Sequence, residues 1–401
     1  MPDPDVVIAG GGPAGMMAGL LFARAGVQVL VLEKHADFLR DFRGDTVHPS
    51  TMEILQELGL LERFLQRPHN RVHTASLRLF GTPLTVGDLR FLPVAAPFIA
   101  MMPQWDFLDF LFDEASAYPT FTLWREAEAT GYVDEGGRIV GVRLSSGEEI
   151  CARRLVVAAD GRNSYVRHLL PVRDLGSSID VFWFRAPRQA VPGEGLRGIV
   201  EPGRVLVCID RGDYWQCAMV LPKGGAEMMR ARGIAAVRAD VEAMAPELGS
   251  LATALPDLDA LKLLNVGLDR LECWHRPGLL AIGDAAHTMS PIGGIGINLA
   301  IQDAVAAANL LSLPLQRSAQ VDDLLSGVQR RRLLPTRIIQ AGQKLAQDRV
   351  LSSLLARREG MARPPLLLQL LDRYPVLRRI PGRIIGLGIR REHVRSPNAF
   401  G

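Results

Sequence analysis

Over the first stretch of the chain, apolar positions come in short blocks separated by glycine. Val6 to Ala9 is an unbroken, mostly β-branched run, which predicts a strand buried on both faces of a parallel sheet. Gly10 to Gly15 interrupts it. From Ala14 to Ala25 the chain is dominated by Ala, Met, Leu and Phe, which favour a helix, and Gly26 stands where a C-cap residue would. Val27 to Leu32 predicts a second buried strand. Strand, glycine turn, helix and strand within about 30 residues make a right-handed crossover unit.

Further along, the period changes more than once. Thr51 to Phe64 carries apolar residues at helical spacing after Pro49-Ser50. Gln104 to Ala117 places Phe107, Leu108, Leu111 and Phe112 on one helical face. Phe121 to Val157 reads as short strands cut by the turns Asp134–Gly137 and Ser145–Gly147, and Leu155 to Ala159 as a buried strand ending at Asp160-Gly161. His73 to Ala100 and Val181 to Gly267, with one helix over Gly224–Ala243, read as an antiparallel sheet. Leu279 to Ile282 returns to the first pattern, and the chain is helical from Leu299 nearly to its end. An α/β fold is expected: a Rossmann-like nucleotide domain (residues 1–72, 101–178 and 268–345), an inserted mostly antiparallel β-sheet domain (73–100 and 179–267), and a helical C-terminal region (346–401). A length of 401 residues exceeds what one core usually organises, which agrees with two domains.

Composition narrows the class. Hydrophobic residues make up 48% of the chain and charged ones 22%, with a net charge of +3. All but four of the 46 basic residues are arginine, scattered among nearly as many acids, so no clustered stripe for nucleic acid is present. Cys151, Cys208, Cys217 and Cys273 form no CxxC pair, and a reducing, cytoplasmic setting is expected. Cys208 and Cys217 are read as two free thiols in adjacent strands, with a facing pair across a hairpin as the other reading. No charged leader precedes the first strand, and no apolar run is expected to reach the ~18 uncharged residues of a spanning helix. GxxxxGK[ST] and GxSxG motifs do not occur. The four-residue spacing of His69 and His73 is read as chance, so no metal site is expected.

Gly10-Gly11-Gly12-Pro13-Ala14-Gly15 satisfies GxGxxG between a strand and a helix. Such a turn brings backbone close to a pyrophosphate at a helix N-terminus. Glu33, at the end of the second strand, is placed to accept ribose hydroxyls. These features leave NAD and FAD both open. Gly283-Asp284-Ala285-Ala286-His287, followed by Ser290-Pro291-Ile292-Gly293-Gly294-Ile295-Gly296-Ile297-Asn298, puts a carboxylate at a strand's carboxyl end and a glycine turn before a helix. That suits a ribitol hydroxyl and the anionic edge of a reduced flavin.

With Ala159-Asp160-Gly161-Arg162 as a third motif in the same order, the chain resembles the para-hydroxybenzoate hydroxylase-like FAD-dependent aromatic hydroxylases, the group A flavoprotein monooxygenases. The resemblance covers residues 6 to about 305 and implies bound FAD with NADPH or NADH as transient reductant. It implies that Gly10, Gly12, Pro13, Ala14, Gly15, Glu33 and Lys34 hold the adenosine diphosphate. Arg43, Gln104, Asp160, Gly283 and Asp284 would touch the rest of the dinucleotide. Pro291, Gly294, Gly296, Ile297 and Asn298 would lie against the isoalloxazine. Arg43 is also readable as a solvated arginine and Asp160 as a strand cap, while Arg162 and Arg167 are readable either as ion-paired surface residues or as ligands of a nicotinamide phosphate. His287 is assigned a structural or flavin-adjacent role rather than catalysis.

The implied activity is hydroxylation of an aromatic, polycyclic or quinone-like molecule with O₂, through a flavin C4a-hydroperoxide. The alternatives are a flavin reductase or dehydrogenase on the same fold, then a non-catalytic redox sensor. A halogenase is disfavoured because WxWxIP does not occur. Trp183, Arg185 and Trp215 are the expected substrate residues, with Phe182, Phe184 and Arg211 near them. By strand alternation only about half of these face one pocket. Two departures from the family are expected: no thioredoxin-like extra domain, and no identifiable tyrosine pair to activate a simple phenol acid. The Arg-rich segment 363–391 is expected to pack across the molecule, with membrane contact as the other reading. A monomer or homodimer is expected.

Overall fold

The computed structural model describes residues 3–39, 46–188, 196–356 and 366–401. Val6–Ala9 (β1), Pro13–Arg24 (α1) and Val29–Leu32 (β2) form the expected crossover, with β1 and β2 parallel and Val6 opposite Val29. Every residue of both strands is buried, which explains their unbroken apolar runs. Pro49–Glu57 (α2) is shorter than expected. The helical pattern continues past it, but the backbone turns left-handed at Gly59 (φ 74°) and a second short helix covers Leu61–Leu65. Thr74–Leu79 (β3) and Thr82–Asp88 (β4) leave for a second sheet. Gln104–Ser116 (α3), Phe121–Trp124 (β5) and Leu155–Ala158 (β6) return to the first.

The second sheet is completed by Ile179–Pro187 (β7), Leu196–Glu201 (β8), Arg204–Asp210 (β9), Tyr214–Pro222 (β10) and Lys262–Leu264 (β11). Between the last two lie Ala226–Ala231 (α4) and Gly233–Met244 (α5), two helices where the sequence predicted one. The chain then returns through Leu279–Ala281 (β12) to Gly296–Gln316 (α6) and Asp322–Leu345 (α7). Leu366–Arg373 (α8) and Arg379–Leu387 (α9) follow, and the last residues are not helical.

The first sheet has the order His275–Arg276, β12, β6, β1, β2, β5, parallel except at that outer pair. The second runs β11, β7, β10, β9, β8, β3, β4, antiparallel except where β8 meets β3. A small three-stranded sheet of Thr46–Val47, Asn70–Val72 and Ile99–Met101 joins the two regions. On one face of the first sheet, α1, α3 and α6 build the largest core, around Phe22, Phe64, Phe107, Phe110 and Ile301.

Ile292–Gln316 is long and apolar enough to cross a membrane by length and composition. Most of it is buried, packed on α1 and α7, and its single carboxylate, Asp303, is buried in an ion pair with Arg332. Cys208 and Cys217 stand opposite each other on β9 and β10 with sulfurs 3.7 Å apart, both as free thiols. The C-terminal segment packs inward. His48 hydrogen-bonds Ile385 of α9, Arg391 pairs with Glu53, His393 with Glu57, and Arg24 caps the carbonyl of Ser396.

Candidate functional site

Three features converge at the carboxyl ends of β1, β6 and β12. Gly10 ends β1 with φ 104°, and a Cβ there would come within 2.5 Å of the Ala159 carbonyl oxygen at the end of β6. A Cβ at Gly15 would collide with the carbonyl of Gly10. Both glycines are therefore required by the protein's own packing. Gly12 is different. It is the N-cap of α1 in an extended conformation, and a Cβ there meets nothing within 4 Å. Among the described residues no side chain caps α1, Pro13 at N1 has no N–H, and the first helical bond runs from Met16 to Gly12. The positive end of α1 thus faces an open surface beside Ala14 and Gly15.

Glu33 follows β2 and is buried. Its carboxylate accepts the N–H of Gly11 at 3.1 Å and of His35 at 3.0 Å. Lys34 is half exposed and leans on Glu128 at 3.7 Å, so its ammonium is turned to solvent. Arg43 lies outside the described residues. Gln104 opens α3 directly after its N-cap Pro103.

Asp160 lies where β6 ends, in contact range of Gly10. Burial pushes its carboxyl up to about 6, against the hydrogen bonds from Ser164 and the Tyr165 backbone that favour the ionised form. Its Oδ1 is buried with no partner among the described residues. Arg162 touches the Asn265 carbonyl at 3.4 Å. Arg167 is an internal clamp: it pairs with Asp269 and donates to the Asp284 carbonyl at 3.1 Å, which favours the ion-paired reading.

Gly283 joins the first motif to the second. A Cβ on it would lie 3.0 Å from the Cβ of Ala14 and 3.2 Å from that of Ala300, so α1, the β12 turn and α6 meet at one point. Asp284 sits in the single turn Gly283–Ala285, partly exposed. Behind it, Asp303 accepts the Gly283 N–H at 3.1 Å, contacts His287 Nε2 at 2.6 Å and binds Arg332 at 3.0 Å, all three side chains almost fully buried. Burial alone would raise the Asp303 carboxyl, but His287 and Arg332 hold it below the usual carboxylate range. His287 is therefore a strut for the turn.

The loop from Pro291 folds as a tight turn, with Gly294 N–H on the Pro291 carbonyl, before α6 starts at Gly296. Among the described residues no side chain caps α6, so the amides of Gly296 and Ile297 lie at its positive end. The Asn298 side chain is engaged within the protein. It accepts from the His48 N–H at 2.9 Å and the Thr51 hydroxyl at 2.7 Å, and donates to the carbonyls of Gly294 and Thr46. All its bonding groups are spent inside the protein. Only its backbone remains for a ligand.

Sequence reasoning missed His48. It is the N-cap of α2, fully buried, and burial lowers its imidazole to about 4, so it is neutral at pH 7. Its Nδ1 faces the Ile385 carbonyl at 2.7 Å, while Nε2 has no partner among the described residues. The one available signal was a histidine where serine, threonine or aspartate usually caps a helix.

On the second sheet, strand alternation sorts the aromatic residues. Phe182, Phe184, Trp215 and Cys217 pack in the core that includes Val237 and Val241 of α5. Trp215 is 2% exposed there, with Arg197 stacked over it at 5.0 Å, so it is corrected: it faces away from the other candidates. Trp183 is on the opposite face, packed on one side against the cluster of Val72, Ile99, Met101 and Leu387, and on the other against the cluster that Ile292 also joins. Arg185 shares that face and stacks on Tyr214 at 4.7 Å. Gln216, opposite Arg185, was not singled out, although a lone polar residue in the apolar run Trp215–Leu221 was the available sign.

Comparison with known proteins agrees with this geometry. A family model described as an FAD binding domain matches residues 3–342. The chain is 34% identical to a 6-methylpretetramide 4-monooxygenase of Streptomyces rimosus, over 95% of this chain and 91% of that protein. It is 30% identical to a rifampicin monooxygenase of Streptomyces venezuelae over 75% of this chain, but spans only 62% of that longer protein. Among solved structures, Pseudomonas aeruginosa PqsL in complex with 2-aminobenzoylacetate superposes with a TM-score of 0.74 at 25% identity, covering 88% of this chain and 97% of that one. The p-nitrophenol 4-monooxygenase PnpA of Pseudomonas putida, at 19% identity, shares the fold with a TM-score of 0.76 over 97% of this chain and 99% of its own.

Proposed function

The chain belongs to the FAD-binding-domain family of flavin-dependent monooxygenases, and on that premise we propose that it uses NADPH or NADH and O₂ to hydroxylate a polycyclic, oxygen-bearing aromatic compound. The observation that carries this reading is the meeting of α1, the Asp284 turn and α6 at Gly283, with two uncapped helix N-termini beside it. FAD fits these residues. The open space over Gly12 admits a pyrophosphate at the positive end of α1. Glu33 supplies a ribose acceptor, and Asp284 a carboxylate for the ribitol. The amides of Gly296 and Ile297 would face the pyrimidine edge, with Pro291 and Gly294 shaping the loop. Gln104 and Asp160 are the remaining polar groups near the path.

Bound there, FAD supplies the redox chemistry that takes two electrons from NAD(P)H, places one oxygen atom of O₂ in the substrate and releases the other as water. The protein's part is to hold the substrate near the loop before α6 and to exclude water. Residues 73–100 and 179–267 serve this role: the β7 face carrying Trp183 and Arg185 forms one wall, and Ile292 lies at its margin. Residues 1–72, 101–178 and 268–345 hold the nucleotide. A polycyclic substrate is favoured by the 34% identity, over nearly the whole chain, to an enzyme whose name specifies a pretetramide.

The test is turnover under ¹⁸O₂ with FAD-loaded protein, either nicotinamide, and a panel of polycyclic phenols that includes anhydrotetracycline. Substrate-stimulated NAD(P)H oxidation with one ¹⁸O per product molecule is expected. Nicotinamide consumption that reduces or desaturates the substrate without label would replace this reading with a reductase or dehydrogenase.

A further inference from the structure

Resting on the reading that the Trp183 face of β7 meets the substrate, we infer that this face recognises hydrogen-bond acceptors: the substrate turns a carbonyl- or phenolate-bearing edge toward Trp183 and Gln216. Gln216 lies in the middle of β10 and is 2% exposed. Its amide orientation is fixed by chemistry. Oε1 accepts from Arg211 Nε at 2.9 Å and from a terminal guanidinium nitrogen at 2.8 Å, and a guanidinium has no acceptor to offer, so the amide cannot be flipped. The remaining group, Nε2, is a donor, buried and without a partner among the described residues. Trp183 Nε1 is in the same condition, and indole can only donate.

The register places the two donors together. Trp183 stands opposite Ala218 and Arg185 opposite Gln216, so Trp183 and Gln216 are diagonal neighbours on one face of adjacent strands. Between them Ala218 contributes a single methyl group. Among the described residues, Arg211 binds the Gln216 amide oxygen and Arg185 stands opposite Gln216. Asp210, the closest acid in the register, is engaged by Arg188 and by the Gly212 N–H. Buried polar groups are nearly always hydrogen-bonded, and two buried donors on one face are satisfied by a ligand rich in acceptor oxygens. A donor-bearing edge, such as an aniline, would leave both unsatisfied and add repulsion between like dipoles.

The experiment uses FAD-loaded oxidised protein and follows the visible spectrum of bound flavin during titration. The probes are 1-hydroxy-2-acetonaphthone, which carries an acceptor edge, and 2-isopropylnaphthalene, which has similar bulk and no oxygen. Wild type should bind the oxygenated probe about tenfold or more tighter, a difference of ~1.4 kcal/mol. Gln216→Leu and Trp183→Phe should each remove most of that preference. Gln216→Met, with FAD content and unfolding midpoint measured alongside, separates loss of the donor from loss of the fold. An unchanged preference in folded, FAD-loaded Gln216→Leu and Gln216→Met overturns the inference, as does a wild type that perturbs its flavin equally with both probes. A wild type that binds no FAD overturns the proposed function itself, a separate outcome.

Discussion

At the scale of single residues, the three glycines of the first motif separate folding from binding. Gly15 abuts the Gly10 carbonyl, so Gly15→Ala should destabilise the protein by about 2 kcal/mol or more, read from urea unfolding of the apoprotein. Among the described residues nothing stands in the way of a Cβ at Gly12, so Gly12→Ala should cost under ~1 kcal/mol, mainly as a poorer N-cap. It should nevertheless weaken FAD binding at least tenfold, or ~1.4 kcal/mol, by fluorescence titration. Equal FAD affinity in Gly12→Ala and wild type would mean that no pyrophosphate passes there. The motif was legible in the sequence because glycine's conformational freedom has few other uses between a strand and a helix. Asn298 was legible as a position but not as a role. Its four internal hydrogen bonds, with partners 247 to 252 residues away in sequence and on Gly294, leave no local trace.

At the scale of elements, the buried strands β1, β2 and β6 were evident from unbroken apolar runs, whereas helix ends were not. Thr51 to Phe64 kept its helical period across Gly59 because both helical pieces bury the same side of the chain. The pairing of α2 with α9 was also hidden, since it depends on His48 meeting the Ile385 carbonyl across 337 residues. The burial of His48 carries a pH dependence. Burial lowers the imidazole from 6.5 to about 4, so the folded state binds fewer protons than the unfolded one between those values. Its contribution is intact above pH 6.5 and is lost as pH falls toward 4, by up to ~3 kcal/mol from the linkage relation. His48→Asn keeps a donor near the Nδ1 position and cannot titrate. In denaturant unfolding from pH 7 to 4.5, wild type should lose about 2 kcal/mol more stability than this variant; parallel losses would show that His48 does not control the acid limb.

At the scale of the whole molecule, the account depends on pieces far apart in sequence being brought to one place. Residues 10–15 and 283–300 meet because β1, β6 and β12 are neighbours in one parallel sheet, and ligands in such sheets bind beyond the strands' carboxyl ends. That architecture could be read from motif order. The sorting of the second sheet could not, because strand alternation tells which residues share a face and says nothing of which face turns inward. Trp183 and Trp215 were equivalent until α4 and α5 were seen to cover one side. The measurement that bears most directly on the account is FAD titration of the apoprotein, run for wild type and for Asp284→Ala. One FAD per chain is expected, with affinity reduced about tenfold or more in the variant. A wild type that takes up no FAD, or one whose FAD affinity is indifferent to Asp284, contradicts it.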